Sequence, residues 1–368
     1  MIAVASHPDR LADAVSAESL DQLLVADLVT PGDSSREAQA DVFWLAGFTG
    51  TSGFCIVSPS ERLFLTDFRY VERAEREVDG SFERRRLTED ALAELAGQLR
   101  GRVGYDEGRT SVRSLRKLTE AAPESVELVP VEGIVGRLRR QKDELEIERI
   151  AAAAALADEV YEWMCERGLA GRTERDVRME AEQRMRELGA QDPAFPAIVA
   201  AGENAALPHH EASDREIGRG ELVIVDMGAL LDGYCSDCTR TFATGEPDSE
   251  QREVYDLVRS AQEAALEAIG AGVDGKAADG VSREPIAAAG HGEHYGHGLG
   301  HGVGIEVHEA PRLSQRSKDV LEVGDVVTVE PGVYVAGRLG VRIEDLVTVT
   351  EDGIRNLSST SKDLRIVD

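Results

Sequence analysis

The chain has 368 residues, 42% of them hydrophobic, which is enough for a sizeable core and for two domains of ordinary size. Its 69 acids against 41 bases give a formal net charge of −28, which argues against nucleic acid and anionic membranes as partners, since both need a basic footprint. The first residues form no basic-flanked apolar leader, and the longest apolar runs, such as 151–157, are far too short for a membrane span; a soluble cytoplasmic protein is expected.

Five of the bases are lysine (Lys117, Lys142, Lys276, Lys318 and Lys362) and the rest are arginine. Acids spread over the whole chain read as a solvated surface, and a high-salt cytoplasm, where screening tames self-repulsion, is the preferred explanation. The four cysteines, Cys55, Cys165, Cys235 and Cys238, are too few and too scattered for a disulfide framework. Cys235 and Cys238 spell C-x-x-C, but with strand-like flanks and no second pair, so chance spacing is the reading.

In chain order, ADVFWLAGFTGTSGFCIVS (40–58) reads as two strands around a Gly/Thr turn, and ERLFLTDFRYVERAEREV (61–78) as a strand running into a helix. GRVGYDEGRTSVRSLRKLTEAAP repeats strand, Gly-rich turn and helix, so the first part is an α/β domain. A boundary falls between 136 and 142, giving domains 1–138 and 139–368. A long helix begins near Lys142 with acids in its first turns and ends at Gly168; another runs over 173–190, with Thr173 as N-cap and Gly189 as stop. The second domain then alternates strand-like runs (AFPAIVAAG, ELVIVDMGALL, YCSDCTRTFATG, DVVTVEPGVYV, VRIEDLVTVT) with a helix at about 249–269 and a weaker helical stretch interrupted by Gly280 and Pro285, an α+β composition.

Four acids sit where a half-buried strand should not have them. Asp226 caps the wholly apolar run 222–225, and Asp237, Glu330 and Glu344 stand in similar company, in SDCTRTF, VVTVEPGVY and VRIEDLVTV. A buried carboxylate costs several kcal/mol unless it is paired or coordinated, and a cation cluster satisfies four of them together. Seven of the eight histidines lie between 209 and 308, five of them in HGEHYGHGLGHGVGIEVH. Four acids with one or two imidazoles make an oxygen-dominated site, suited to Mn²⁺ or Co²⁺ as well as Zn²⁺.

VDMGA (Asp226), SDCTRTF (Asp237), GHGVG (His301), VEPGVY (Glu330) and RIED (Glu344), taken in order at intervals of 11, 64, 29 and 14 residues, resemble the metal-binding elements of the methionine aminopeptidase, aminopeptidase P and prolidase family, whose fold is called pita-bread. VFWLAGFTGTSGFCIVS and LFLTDFRYVERA resemble the N-terminal domain shared by prolidases, aminopeptidases P and creatinases, which methionine aminopeptidases lack. The resemblance implies two divalent cations, with Asp226 on one, His301 and Glu330 on the second, and Asp237 and Glu344 as bridges. It implies peptide substrates with proline at the second position and a homodimer. In such sites the cation pair activates a water for attack on the peptide carbonyl, and Glu330 is the group to relay its proton.

His209, 17 residues before Asp226, and His308, seven after His301, match the family's catalytic histidines, with roles in stabilising the tetrahedral intermediate and orienting substrate. His210, beside His209, reads as a bystander. His297 and Tyr334 are candidate cleft-wall residues, Arg312 a candidate partner for a substrate carboxylate, and Arg342 a brace for the bridging carboxylates. Asp345 and Glu306 neighbour site residues but should point to the opposite face. The expected activity is an Xaa-Pro dipeptidase, with an aminopeptidase on longer Xaa-Pro chains as the alternative. A creatinase-like hydrolase or a non-catalytic module on the same scaffold would have lost several of these ligands, and the module would carry a basic face.

Overall fold

The computed structural model describes residues 6–29, 39–88 and 90–368, which divide into two units between Arg139 and Arg140. In the first unit the order is α1 (His7–Ala17), β1 (Gln22–Val25), α2 (Ala40–Ala46), β2 (Gly53–Val57), β3 (Arg62–Thr66), α3 (Val71–Glu77), β4 (Glu83–Arg86), α4 (Ala91–Ala96), β5 (Arg102–Asp106), α5 (Val112–Ala121), β6 (Glu127–Val131) and α6 (Ile134–Arg140). The strands form one mixed sheet, β4-β3-β2-β1-β5-β6, antiparallel through β1, β2 and β3 and parallel elsewhere. Leu95 and Leu99, with Leu118 of α5, pack on Leu24, Ile56, Leu65 and Val103 of the sheet.

Residues 40–46 are a helix, where the β-branched and aromatic residues suggest a strand. Gly47, at φ 75°, ends it in the left-handed conformation, and its N–H returns to the Phe43 carbonyl. Trp44, 3% exposed, stacks on His7 of α1 with ring centroids 4.3 Å apart. Tertiary packing overrides a weak local preference here.

The second unit opens with α7 (Glu144–Arg167), started by a capping box between Asp143 and Glu146, and α8 (Glu174–Glu187), capped by the Thr173 hydroxyl. There follow β7 (Asp192–Pro193), β8 (Ile198–Ala201), β9 (Leu222–Met227), β10 (Ala229–Leu231), β11 (Tyr234–Cys235), β12 (Cys238–Ala243), α9 (Ser249–Ala268), α10 (Gly275–Ile286), β13 (Gly300–Gly302), β14 (Glu309–Leu313), β15 (Val326–Val329), β16 (Gly332–Val335), β17 (Leu339–Arg342), β18 (Asp345–Thr350) and β19 (Gly353–Asn356). Strands pair as the sheets β11-β10-β7, β12-β9-β8 and β14-β13-β15-β18-β19, and as the hairpin β16-β17. Helix α10 runs through Gly280 without a break; Pro285, which has no N–H to give the carbonyl four residues back, falls in its last turn, and the chain continues into a short π-type turn at Ala287–His291.

Helices α7 and α8 cover β9 and β12 through Val160, Tyr161, Met164, Val177, Val225 and Phe242. The fully buried Tyr161 hydroxyl donates to the Cys238 carbonyl at 2.7 Å, with the Val225 carbonyl 3.0 Å away. One helix residue thereby grips the two strands next to Asp226 and Asp237. Burying a ring of this size stabilises by about 2 kcal/mol, so the back of the site is held by packing as well as by strand pairing. Among the described residues no helix is long and apolar enough to cross a membrane.

Candidate metal centre

Strand pairing brings the four suspicious acids together. Asp226 stands on β9 opposite Thr239 of β12, and Asp237 immediately precedes β12. Strands β15 and β18 are antiparallel with Val329 opposite Asp345, so Glu330, just after β15, and Glu344, just before β18, emerge at the same sheet end. The Glu344 N–H donates to the Thr239 carbonyl at 3.1 Å, which joins that end to β12. His301 lies on β13, at a bulge between His301 and Gly302, with Arg312 of β14 directly opposite. Directly opposed residues share a sheet face, so the β13-β14 pair presents imidazole and guanidinium to one side.

Those side chains line a cleft of about 590 Å³, together with His209, His210, His297, His308, Arg178 and the wall Phe195–Ile198. Asp226, Asp237, His301 and Glu344 are all buried, at 9%, 6%, 6% and 2% exposure. One ligand atom each of Asp237, His301 and Glu344 lie within 4.8 Å of one another. His301 Nε2 is 3.3 Å from Glu330 Oε1 and 3.7 Å from Asp237 Oδ2. Its Nδ1 lies 3.1 Å from the Gly302 carbonyl; an Nδ1–H donated there leaves the Nε2 lone pair facing the acids.

Hydroxyls fix the carboxylates. Thr239 donates to Glu344 Oε2 at 2.7 Å and Thr328 to Glu330 Oε1 at 3.1 Å. Each threonine stands two residues from a site acid along the chain, on the same strand face, a signal the alternation rule could have exposed. Arg342 reaches Asp226 rather than the expected bridges Asp237 and Glu344: Nη2 donates to Asp226 Oδ2 (2.6 Å), Nη1 to the Tyr334 hydroxyl (2.8 Å) and Nε to Thr239 Oγ1 (3.0 Å), the hydroxyl that in turn holds Glu344. The Tyr334 hydroxyl, accepting from Arg342, is in turn 2.9 Å from His297 Nε2, while His297 Nδ1 is 2.8 Å from the Gly298 carbonyl. Tyr334 therefore donates to His297, a neutral imidazole whose pKa burial lowers despite nearby Glu330.

The electrostatics ask for more positive charge than these residues supply. Burial, and then repulsion from Glu344, Asp226 and Glu330, raises Asp237 well above the ordinary carboxylate range. Burial together with Glu330 and Asp226 does the same to Glu344, and burial raises Asp226 in spite of Arg342. Glu330 goes the other way, to about 2, because the close contact with His301 and the nearby His297 and Arg342 outweigh burial. Asp226 Oδ1 is buried and meets no hydrogen-bond donor among the described residues. An orphaned carboxylate oxygen beside two further buried acids, the half-buried Glu330 and an imidazole lone pair is the donor set a divalent cation pair satisfies, and these residues fit one.

The remaining candidates divide. His308 packs edge-on to His301, ring centroids 4.4 Å apart, and burial, His301 and Arg312 lower its pKa to about 4, so it is neutral at pH 7. Arg312 is exposed on the cleft rim, its backbone N–H held by Asp319 at 2.8 Å. His209 is exposed on the cleft wall and makes no hydrogen bond to the described residues, whereas His210 is bonded to buried Glu174 at 2.8 Å. Asp345 points away from the cleft and meets Arg240 (2.8 Å), Lys362 (2.8 Å), Asn356 (2.9 Å) and Gln262 (3.1 Å). Arg240, 1% exposed, also donates to the Glu344 carbonyl, so a buried ion lattice backs the acid cluster. Sequence reasoning missed this lattice, as it missed Arg178 in the cleft wall and the buried Lys142–Glu309 pair (3.0 Å) behind the loop that carries His308. None of the four cysteines is in a disulfide; Cys235 and Cys238 donate separately to the carbonyls of Ile305 and Glu344, each at 3.4 Å.

The model of metallopeptidase family M24 matches residues 148–351, and that of the creatinase/prolidase N-terminal domain matches 9–141. An uncharacterised peptidase, YqhT, of Bacillus subtilis is 40% identical over 334 residues, 90% of this chain and 94% of the relative. Among solved structures, an Xaa-Pro dipeptidase from Bacillus anthracis superposes with a TM-score of 0.91 at 37% identity, covering 98% of this chain and 99% of that one. An X-Pro aminopeptidase from Thermotoga maritima gives 0.89 at 35% identity, with 98% and 100% covered.

Proposed function

Because the chain belongs to metallopeptidase family M24 and carries a creatinase/prolidase-type N-terminal domain, we propose that it is a dinuclear Xaa-Pro dipeptidase, with 1–138 as the N-terminal and 139–368 as the catalytic domain. The observation that carries the reading is the convergence of four buried or half-buried carboxylates and the His301 Nε2 on one cleft, with Asp226 Oδ1 left without a donor. Asp226, Asp237, His301, Glu330 and Glu344 would hold the cations, and Mn²⁺ or Co²⁺ suits this oxygen-rich set, with Zn²⁺ also accommodated. When bound, the cation pair supplies a water acidic enough to act as nucleophile near neutral pH.

The chain's own residues do the rest. Glu330, lining the cleft beside His301, would accept the water's proton and pass it toward the leaving amine. His308, neutral, and His209, both lining the cleft, would donate to the oxyanion that develops at the scissile carbonyl. Arg342 keeps Asp226 and Tyr334 in place, and Tyr334 keeps His297 in the tautomer whose Nδ1–H faces Gly298.

Arg312 favours the dipeptidase, since a guanidinium on the rim pairs with the free carboxylate of a C-terminal proline. The B. anthracis structure is named for that activity. The likeness to the T. maritima aminopeptidase keeps the second reading in view, that longer Xaa-Pro peptides are the substrates. Parallel assays on Ala-Pro and Ala-Pro-Ala-Ala separate them: Ala-Pro turnover is expected, and cleavage of the tetrapeptide alone would refute the dipeptidase assignment. The same proposal includes a homodimer in a high-salt cytoplasm, supported by the N-terminal domain type and by the net charge of −28.

A further inference from the structure

The segment 201–213 carries His209 into the cleft, and its two ends are tied to one carboxylate. Glu174, the first residue of α8, has a side chain that is 0% exposed. Its Oε1 accepts from the Ala201 N–H (2.9 Å) and Asn204 Nδ2 (3.0 Å), before the turn that presents His209. Its Oε2 accepts from the Ser213 N–H (3.1 Å), the Ser213 hydroxyl (2.7 Å) and His210 Nε2 (2.8 Å), after that turn. On the cleft side, the Pro208 carbonyl lies 3.4 Å from Arg342 Nη1.

We propose that Glu174, with His210 as its clip, is the positioning residue for His209: it closes the 201–213 segment into a fixed loop and so sets where that imidazole meets the substrate. This rests on the reading of His209 as an oxyanion donor given above.

Five donors converge on two oxygens, so the geometry asks for a carboxylate rather than an amide. Burial raises this group's pKa, and the donors from Ser213, Ala201, Asn204 and His210 bring it below the ordinary glutamate value. Glutamine at 174 can keep one set of acceptors, but its NH₂ then faces donors on the other side, which opens one stem of the loop. Histidine at 210 is thereby part of the scaffold, and 209 is left as the imidazole with nothing intramolecular to hold it except its own backbone.

The test is a double-mutant cycle with Ala-Pro as substrate. Glu174→Gln should lower kcat roughly ten- to a hundredfold with little change in KM, because a small displacement of a catalytic group costs that much. On a His209→Ala background the same substitution should cost nothing further. Multiplicative losses would mean Glu174 acts on stability or on another group, and would overturn the proposal. Hydrogen exchange on the same proteins gives a second readout: amides of 203–213 should exchange at least tenfold faster in Glu174→Gln while those of α8 stay protected. Unchanged protection would equally overturn it. Should the unaltered protein fail to cleave Ala-Pro, the functional reading falls, and the exchange result alone decides whether Glu174 fixes the loop.

Discussion

Among the described residues Arg342 is the one guanidinium bonded to Asp226 of the acid cluster, and replacing it by methionine tests the electrostatic account of the site. The side chain is buried at 4% exposure, and its contacts, to Asp226 at 2.6 Å, Tyr334 at 2.8 Å, Thr239 at 3.0 Å and the Pro208 carbonyl at 3.4 Å, have no substitute once the fork is gone. Methionine fills comparable volume, so the loss is electrostatic rather than a cavity. Removing one partner of a buried pair costs about 3–5 kcal/mol, because the other charge stays in low dielectric. For a unit of this size that lowers Tm by roughly 6–20 °C. The cost should be largest in chelated protein, where Asp226 Oδ1 already has no donor, and should shrink on adding Mn²⁺, since a ligand that binds only the folded state compensates the same carboxylate. Differential scanning calorimetry with and without chelator reads both effects. A Tm within about 2 °C of the unaltered protein under chelation would refute the claim that Asp226 is a buried charge dependent on Arg342.

Two other predictions concern stability. Asp345 is held below its usual 3.8 because Arg240 and Lys362 outweigh burial, so its contribution is present above pH 3.8 and is lost as pH falls through the lower folded-state value. Asp345→Asn should therefore be clearly less stable at pH 7, and in chemical denaturation at descending pH the gap should narrow below pH 3.8; a gap that widens in acid contradicts the assignment. With a net charge of −28, self-repulsion should weaken as the screening length drops from about 10 Å in 0.1 M KCl to about 3 Å in 1 M, raising Tm. A Tm that is flat or falls across that range counts against adaptation to high salt.

The acid cluster was legible because strands announce their own violations. Asp226 interrupts a run in which every neighbour is apolar, and a carboxylate there demands a partner. The alternation rule put Arg342 on the strand face of Glu344, but which acid its guanidinium meets, Asp226, depends on a distant strand; the same rule turns Asp345 away from the cleft, where the structure has it. The helix at Ala40–Ala46 was not legible, since Val42, Phe43 and Trp44 favour strands locally and only the stacking of Trp44 on His7 and the left-handed Gly47 reveal why they coil. Histidines 209 and 210 could not be told apart by pattern, because the partner that separates them, Glu174, lies 36 residues from His210 in the chain. The Arg240–Asp345–Lys362 lattice is likewise assembled from distant positions, and periodicity carries no information about such pairs.

The central claim is that this cleft hydrolyses Xaa-Pro by means of cations held on Asp226, Asp237, His301, Glu330 and Glu344. Ala-Pro hydrolysis by protein stripped with a chelator and then titrated with Mn²⁺ or Co²⁺ tests it most directly. Activity should vanish on stripping and return as the metal reaches two equivalents per chain. Activity that survives complete removal, or that does not return with either ion, would contradict the account.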